Sequence, residues 1–252
     1  RLMYVQAQSV EFVLETIEEL LGATDEQLVF IWDSLAFTPS VSDVEGDFNP
    51  QSSMAVKARI LAKGMSKLTI PLADKQATFI VLNQLKTNIP QGPSARIVAM
   101  TTPYITPGGK AMHYAYSLRI WLTGRKAKSS FIEDEKGFRI GSEVKVKLEK
   151  SRFGSQGRSC AFRILWGTDE IGIRDEESWF DAIKGSDSLT SAGAWDTLST
   201  PDGYTKKFQP SKWTELVTSD DEFRSHVIRI MDEEIVQKFD KLEGDASAYY
   251  ED

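Results

Sequence analysis

Asp33 is the first residue of this sequence whose setting suggests chemistry. It follows Leu28-Val29-Phe30-Ile31-Trp32, an unbroken apolar run of strand length, and precedes Ser34. A carboxylate at the carboxyl end of a buried strand sits where open α/β sheets place their ligands, and in nucleotide-binding proteins it holds magnesium directly or through water. A second apolar run, Ala77 to Leu82, ends in Asn83-Gln84, whose amides could sense a phosphate or position a water. Taken alone, Asp33-Ser34 reads more readily as the cap of the next turn than as a ligand, and Asn83-Gln84 is as compatible with plain turn chemistry. Cations recur as well: Arg59, Lys63 and Lys67 are spaced to share one helical face. The pattern G-x-x-x-x-G-K-[ST] occurs nowhere in the 252 residues, so the usual phosphate cradle is not among them. Two histidines and one cysteine do not make a zinc site of four N/S ligands, and His113 and His226 read as ordinary surface or core residues.

The elements that must position these groups follow from periodicity. Val10, Val13, Leu14, Ile17, Leu20 and Leu21 recur at helical spacing after Ser9, a plausible N-cap, and Gly22 marks the end. The apolar run to Trp32 predicts a strand buried on both faces. Met54 to Leu68 predicts a helix with Val56, Ile60, Leu61 and Leu68 inward and the Arg59/Lys63/Lys67 stripe outward. Strand, helix, strand in this order implies a parallel α/β sheet. Residues 85–109, rich in Pro, Gly, Ser and Thr, show no periodicity and predict a long functional loop. Leu118–Leu122, Glu143–Lys150 and Ser159–Leu165 predict strands, with Val144, Val146 and Leu148 alternating against Lys145, Lys147 and Glu149 as on a half-exposed sheet. Cys160 is expected inside the last of these, buried and inert. Arg1 to Val5 reads as a strand without a preceding cap, so the native N-terminus is expected upstream.

The net charge of −7 argues against a polyanion partner only until it is divided. Residues 1–50 carry one basic and ten acidic side chains, residues 51–165 carry 20 and 6, and residues 166–252 carry 9 and 21. A basic block between two acidic ones suits a polyanion partner in the middle and a solvating or self-regulating end. No run of about 18 apolar residues and no signal segment occurs, and one cysteine excludes intrachain disulfides, so a cytoplasmic protein without a membrane partner is expected.

The ordered set of motifs resembles the RecA recombinases of bacteria and their phage UvsX-type relatives. Val29 to Pro39 is similar to the family's Walker B strand and turn. Val44-Glu45-Gly46-Asp47, Met54 to Arg59, Leu82-Asn83-Gln84-Leu85, Pro107 to Ala111, Gly141-Ser142-Glu143, Lys150-Ser151-Arg152 and Ala192-Gly193-Ala194-Trp195 follow in the family's order. The resemblance implies an α/β, RecA-like P-loop NTPase core over residues 1–167, with a largely parallel sheet and a β-hairpin extension. A small α+β C-terminal domain over 168–230 and an acidic tail over 231–252 would follow.

It further implies ATP and Mg2+ as cofactors of the full-length protein. Asp33 would act on magnesium with Ser34 beside it. Gln84 would report the γ-phosphate, and Lys150 and Arg152 would reach a neighbouring subunit's ATP to stabilise developing negative charge. Residues 41–54 and 85–109 resemble the two DNA-binding loops, with Met54 as an apolar wedge, Arg59 and Lys63 for phosphate, and Ile89, Arg96, Ile97, Gly108 and Gly109 in or beside the second loop. The implied partners are single-stranded and double-stranded DNA and copies of the chain itself in a helical filament. Ser66, His113 and Tyr114 depart from the residues many members carry there. Because the P-loop is not among these residues, this chain alone is expected to hydrolyse no ATP. A P-loop-less module that docks on an active recombinase is the alternative, and a G-x-x-x-x-G-K-[ST] upstream of Arg1 would decide against it.

Overall fold

The computed structural model describes residues 2–47, 55–90, 92–102, 104–124, 130–154, 156–167 and 171–233. The chain divides into two units, Arg1–Tyr116 and Ser117–Asp252, in a mixed α/β fold with several sheets. Among the described residues no helix is long and apolar enough to cross a membrane.

The first unit begins with an extended segment. Leu2, Met3, Tyr4 and Val5 are exposed and form no strand, in contrast to the sequence expectation, because no described strand offers them a ladder. Helix α1 (Val10–Ala23) starts where Ser9 accepts a hydrogen bond from Phe12 N at 3.1 Å. Its Val10, Leu14, Ile17 and Leu21 are buried, one helical face wide. Strand β1 (Val29–Trp32) pairs in parallel with β2 (Thr78–Val81), Val29 opposite Thr78 and Trp32 opposite Val81. The short α2 (Val41–Glu45) and the long α3 (Val56–Asp74) lie between them in the chain. Leu61, Met65 and Leu68 turn α3 inward onto α1, and Gly64 lets the two approach, since a Cβ there would lie 2.9 Å from Leu14 Cδ2. Helix α3 continues past Leu68 through Pro71 to Asp74, beyond its expected end.

Strand β1 departs from expectation on one side. Trp32 is buried and Phe30 packs against the core, but Val29 and Ile31 are 61% and 66% exposed. Two strands with helices on one face leave the opposite pleat open. The pairing of β1 with β2 is the parallel ladder of the described residues, and the other ladders are antiparallel.

Residues 85–109 are also more regular than expected. Strands β3 (Lys86–Thr87) and β4 (Tyr104–Ile105) pair antiparallel and flank helix α4 (Pro93–Thr101). Pro93 starts α4 because its fixed φ suits the first helical turn and its missing N–H costs nothing there. Helix α5 (Gly109–Ala115) then inserts Met112 into the core beside Leu35 and Leu61.

In the second unit, β5 (Leu118–Gly124), β7 (Arg139–Ser151), β8 (Ser159–Leu165) and β9 (Gly172–Arg174) form an antiparallel sheet in that order, with β6 (Phe131–Glu133) also paired to β7. Cys160 does lie in a strand, but it is exposed rather than buried. Its partner is Val146, on the sheet face where Leu118, Ile120 and Leu122 are exposed too. Beyond it, α6 (Glu176–Ile183), the three-stranded sheet β10 (Leu189–Ala192), β11 (Trp195–Ser199), β12 (Thr205–Phe208), then α7 (Trp213–Ser219) and α8 (Asp221–Met231) enclose their own core. Phe208, Trp213 and Phe223 meet at its centre with ring centroids 5.4–5.7 Å apart. Trp213 donates its indole N–H to Glu176 O at 2.6 Å, which pins α7 to α6.

Candidate functional site

The carboxyl ends of β1 and β2 lie side by side, and the backbone fixes them there. Leu82 N donates to Trp32 O at 2.9 Å and Leu35 N donates to Leu82 O at 3.0 Å, so the chain leaving β1 stays tied to β2. Asp33 and Gln84 are both exposed at this edge, and the Asp33–Ser34 peptide bond is cis. The turn after Asp33 is held from within. Trp32 Nε1 donates to Thr38 Oγ1 at 2.9 Å, and Thr38 Oγ1 donates to Ser34 O at 2.9 Å. Asn83 is turned into the structure: its amide nitrogen donates to Pro107 O at 2.9 Å, and its Oδ1 accepts from Gln84 N. Asn83 therefore shapes the base of the second loop and leaves Gln84 as the exposed amide.

The candidate loop residues belong to the same unit. Helix α2 carries a complete capping box between Ser40 and Asp43, which gives residues 41–45 a defined start. Arg59 and Lys63 are exposed on α3, while Lys67 makes an ion pair with Glu18 of α1 at 2.6 Å. Arg96 and Ile97 are exposed on α4 and Ile89 on the segment before it, so these residues are presented by a helix and its flank rather than by an irregular loop. Gly108 and Gly109 have φ of +107° and +75°, and a Cβ on Gly109 would lie 3.1 Å from Ala58 Cβ of α3. Both glycines are thus needed for conformation and close approach. Met54 lies outside the described residues.

Lys57 is a site residue that sequence reasoning did not find. From the first turn of α3 its Nζ donates to Leu35 O and Thr38 O, both at 2.6 Å, and to Ala36 O at 3.4 Å. Burial depresses its ammonium below the usual lysine value, with Lys86 acting in the same sense and Asp43 opposing them. No spacing rule singles out a lysine whose partners are backbone carbonyls about twenty residues away.

The second unit holds the other candidates. Lys150, half-buried near the end of β7, lies directly opposite Arg119 of β5. Burial, Arg152 and Arg119 together push its ammonium below the usual value. Arg152 is exposed, and its N–H donates to Ser117 O at 3.0 Å. Arg119, whose guanidinium stands 5.4 Å from the Trp121 ring centroid, makes this a cluster of three cations. Only strand register could reveal it, because a bulge at Glu149 sets which residue faces Lys150.

The first unit thus presents an exposed carboxylate and amide at adjacent strand ends, with exposed cations on α3 and α4, and the second a cluster of three cations, in a mixed α/β fold. The RecA N-terminal domain family matches residues 1–171. Similar proteins include those named Protein RecA from Fusobacterium nucleatum, 31% identical over 77% of this chain and 47% of that protein, and from Leptospira biflexa, 28% identical over 77% and 46%. A third, from Clavibacter michiganensis, is 29% identical over 78% of this chain and 49% of its own length. The chain belongs to the RecA family. It spans about half the length of these curated relatives.

Proposed function

We propose that this chain is part of a RecA-type recombinase with a P-loop NTPase core. The complete protein, in the cytoplasm, coats single-stranded DNA as a helical filament of its own copies and pairs it with double-stranded DNA in homologous recombination and repair. The observation that carries the reading is Asp33 and Gln84 at adjacent ends of parallel strands, with Arg59, Lys63, Arg96 and Ile97 exposed in the same unit. We keep core (1–167), C-terminal domain (168–230) and acidic tail (231–252) as the proposed division. Two separate apolar cores, within residues 10–116 and 179–231, support more than one folded body; the compact units meet at 116/117 rather than 167, and 234–252 lie outside the described residues.

The donor set fits Mg2+ bound with a nucleotide. Magnesium takes one or two carboxylates and completes its octahedron with phosphates and water, and Asp33 offers one exposed carboxylate at the end of β1. Asp33 with the Ser34 hydroxyl would hold the ion, which would neutralise charge developing on the transferred phosphoryl group. Gln84 donates hydrogen bonds to phosphate or water. Lys150 and Arg152, offered to a neighbouring copy's nucleotide, supply fixed positive charge, and loss of one such group typically costs about 10²–10³ in turnover.

The test is ATP hydrolysis by the complete protein with and without single-stranded DNA. Hydrolysis should be DNA-stimulated and should fall at least about a hundredfold in Lys150→Ala and Asp33→Asn. Absence of any DNA-stimulated hydrolysis in the wild type would end the proposal.

A further inference from the structure

Lys57 is half-buried in the first turn of α3. An ammonium has three donors, and here all three have backbone carbonyl partners in the turn that follows Asp33. Helix α3 does not need this cage to stay in place, since Leu61, Met65 and Leu68 already bury it. The turn, in contrast, is held at its two ends by Leu35 N on Leu82 O and by Thr38 on Ser34 O, and Lys57 bridges the carbonyls between them. Both candidate loops end beside Lys57: α3 begins at Val56, directly after the first, and a Cβ on Gly109, where the second ends, would lie 3.1 Å from Cβ of the neighbouring Ala58. Arg59, two residues further along the same helical turn, is exposed. A movement of the first turn of α3 therefore pulls on the turn carrying Asp33 and Ser34 through charge-assisted hydrogen bonds, which are stronger than neutral ones.

We propose that Lys57 is a positioning residue that couples the two DNA-facing loops to the Asp33–Ser34 turn, so that DNA occupancy and nucleotide occupancy strengthen each other. This rests on the functional reading above. It adds a path through the turn's backbone, separate from the one assigned to Gln84.

In the complete protein, dissociation constants for a labelled oligothymidylate are measured with and without Mg2+ and a non-hydrolysable ATP analogue. Nucleotide should tighten wild-type binding about tenfold, a typical coupling. Lys57→Met should shrink that ratio to within about twofold of unity, and Lys57→Arg should recover part of it. A lysine that merely stabilised α3 would lower the melting temperature when replaced and leave the ratio intact. A wild-type ratio of one sinks the functional reading and the coupling with it. A wild-type ratio well above one that Lys57→Met leaves unchanged overturns the role of Lys57 alone. Where the variants do not fold, hydrogen exchange in the wild type decides: oligonucleotide binding should slow exchange at the Leu35 and Thr38 amides, and unchanged exchange there overturns the inference.

Discussion

Thr38 shows how one hydroxyl can hold a site. It accepts from the buried Trp32 indole and donates to Ser34 O, so a single side chain sets the exit of β1 against the turn beyond Asp33. Thr38→Val keeps the shape and leaves the indole N–H without a partner. The expected loss is about 1–3 kcal/mol in urea unfolding, and an unchanged midpoint would refute it. In the second unit Asp202 plays a comparable part between Thr200 and Arg229, which hold its carboxyl down from 3.8 to about 2. Because the folded-state value is depressed, the stabilisation is present above 3.8 and is lost as pH falls toward about 2. Asp202→Asn should melt below wild type at neutral pH, with the gap closing through that acidic window in pH-resolved thermal scans.

At the level of elements, the α1–α3 contact depends on Gly64, whose missing side chain admits Leu14. Gly64→Val gains less than about 1 kcal/mol in helix propensity. The overpacking it forces is worth about 1–3 kcal/mol. Net destabilisation by denaturant titration is expected, and a more stable variant would show that the helices separate freely. Helix α1 was legible from its apolar spacing because a helical stripe is a local pattern. Helix α4 was not, since Arg96 to Met100 shows no buried stripe. It is flanked by the β3–β4 ladder and by Asn88, whose amide donates to Thr102 O at 2.9 Å. Those partners lie more than a dozen residues apart, beyond the reach of any local window.

Across the whole molecule, charge is arranged by segment. The basic block of 51–165 contains the α3 stripe, α4 and the Arg119/Lys150/Arg152 cluster, and the last 21 residues carry eight acidic side chains against two basic. On the proposed function, a tail of that sign would compete with DNA for these cations, and salt would screen such competition beyond about 10 Å at 0.1 M. Deleting residues 232–252 should therefore raise single-stranded DNA affinity at low salt and change little at high salt, measured by anisotropy across a salt series. Equal affinities at low salt would dismiss the competition.

The family, the ordered motifs, the strand ends bearing Asp33 and Gln84 and the segregation of charge were all determined by the sequence, because each is a matter of residue type and spacing along the chain. Which groups act on one another was decided by the tertiary structure. Lys57 reaches carbonyls at 35, 36 and 38, and Arg119 faces Lys150 across a bulge. Val29, Ile31 and Cys160 stay exposed although their strands read as buried. Backbone carbonyls carry no residue identity, and strand register and burial depend on what packs opposite, so these relations arise only when distant segments meet.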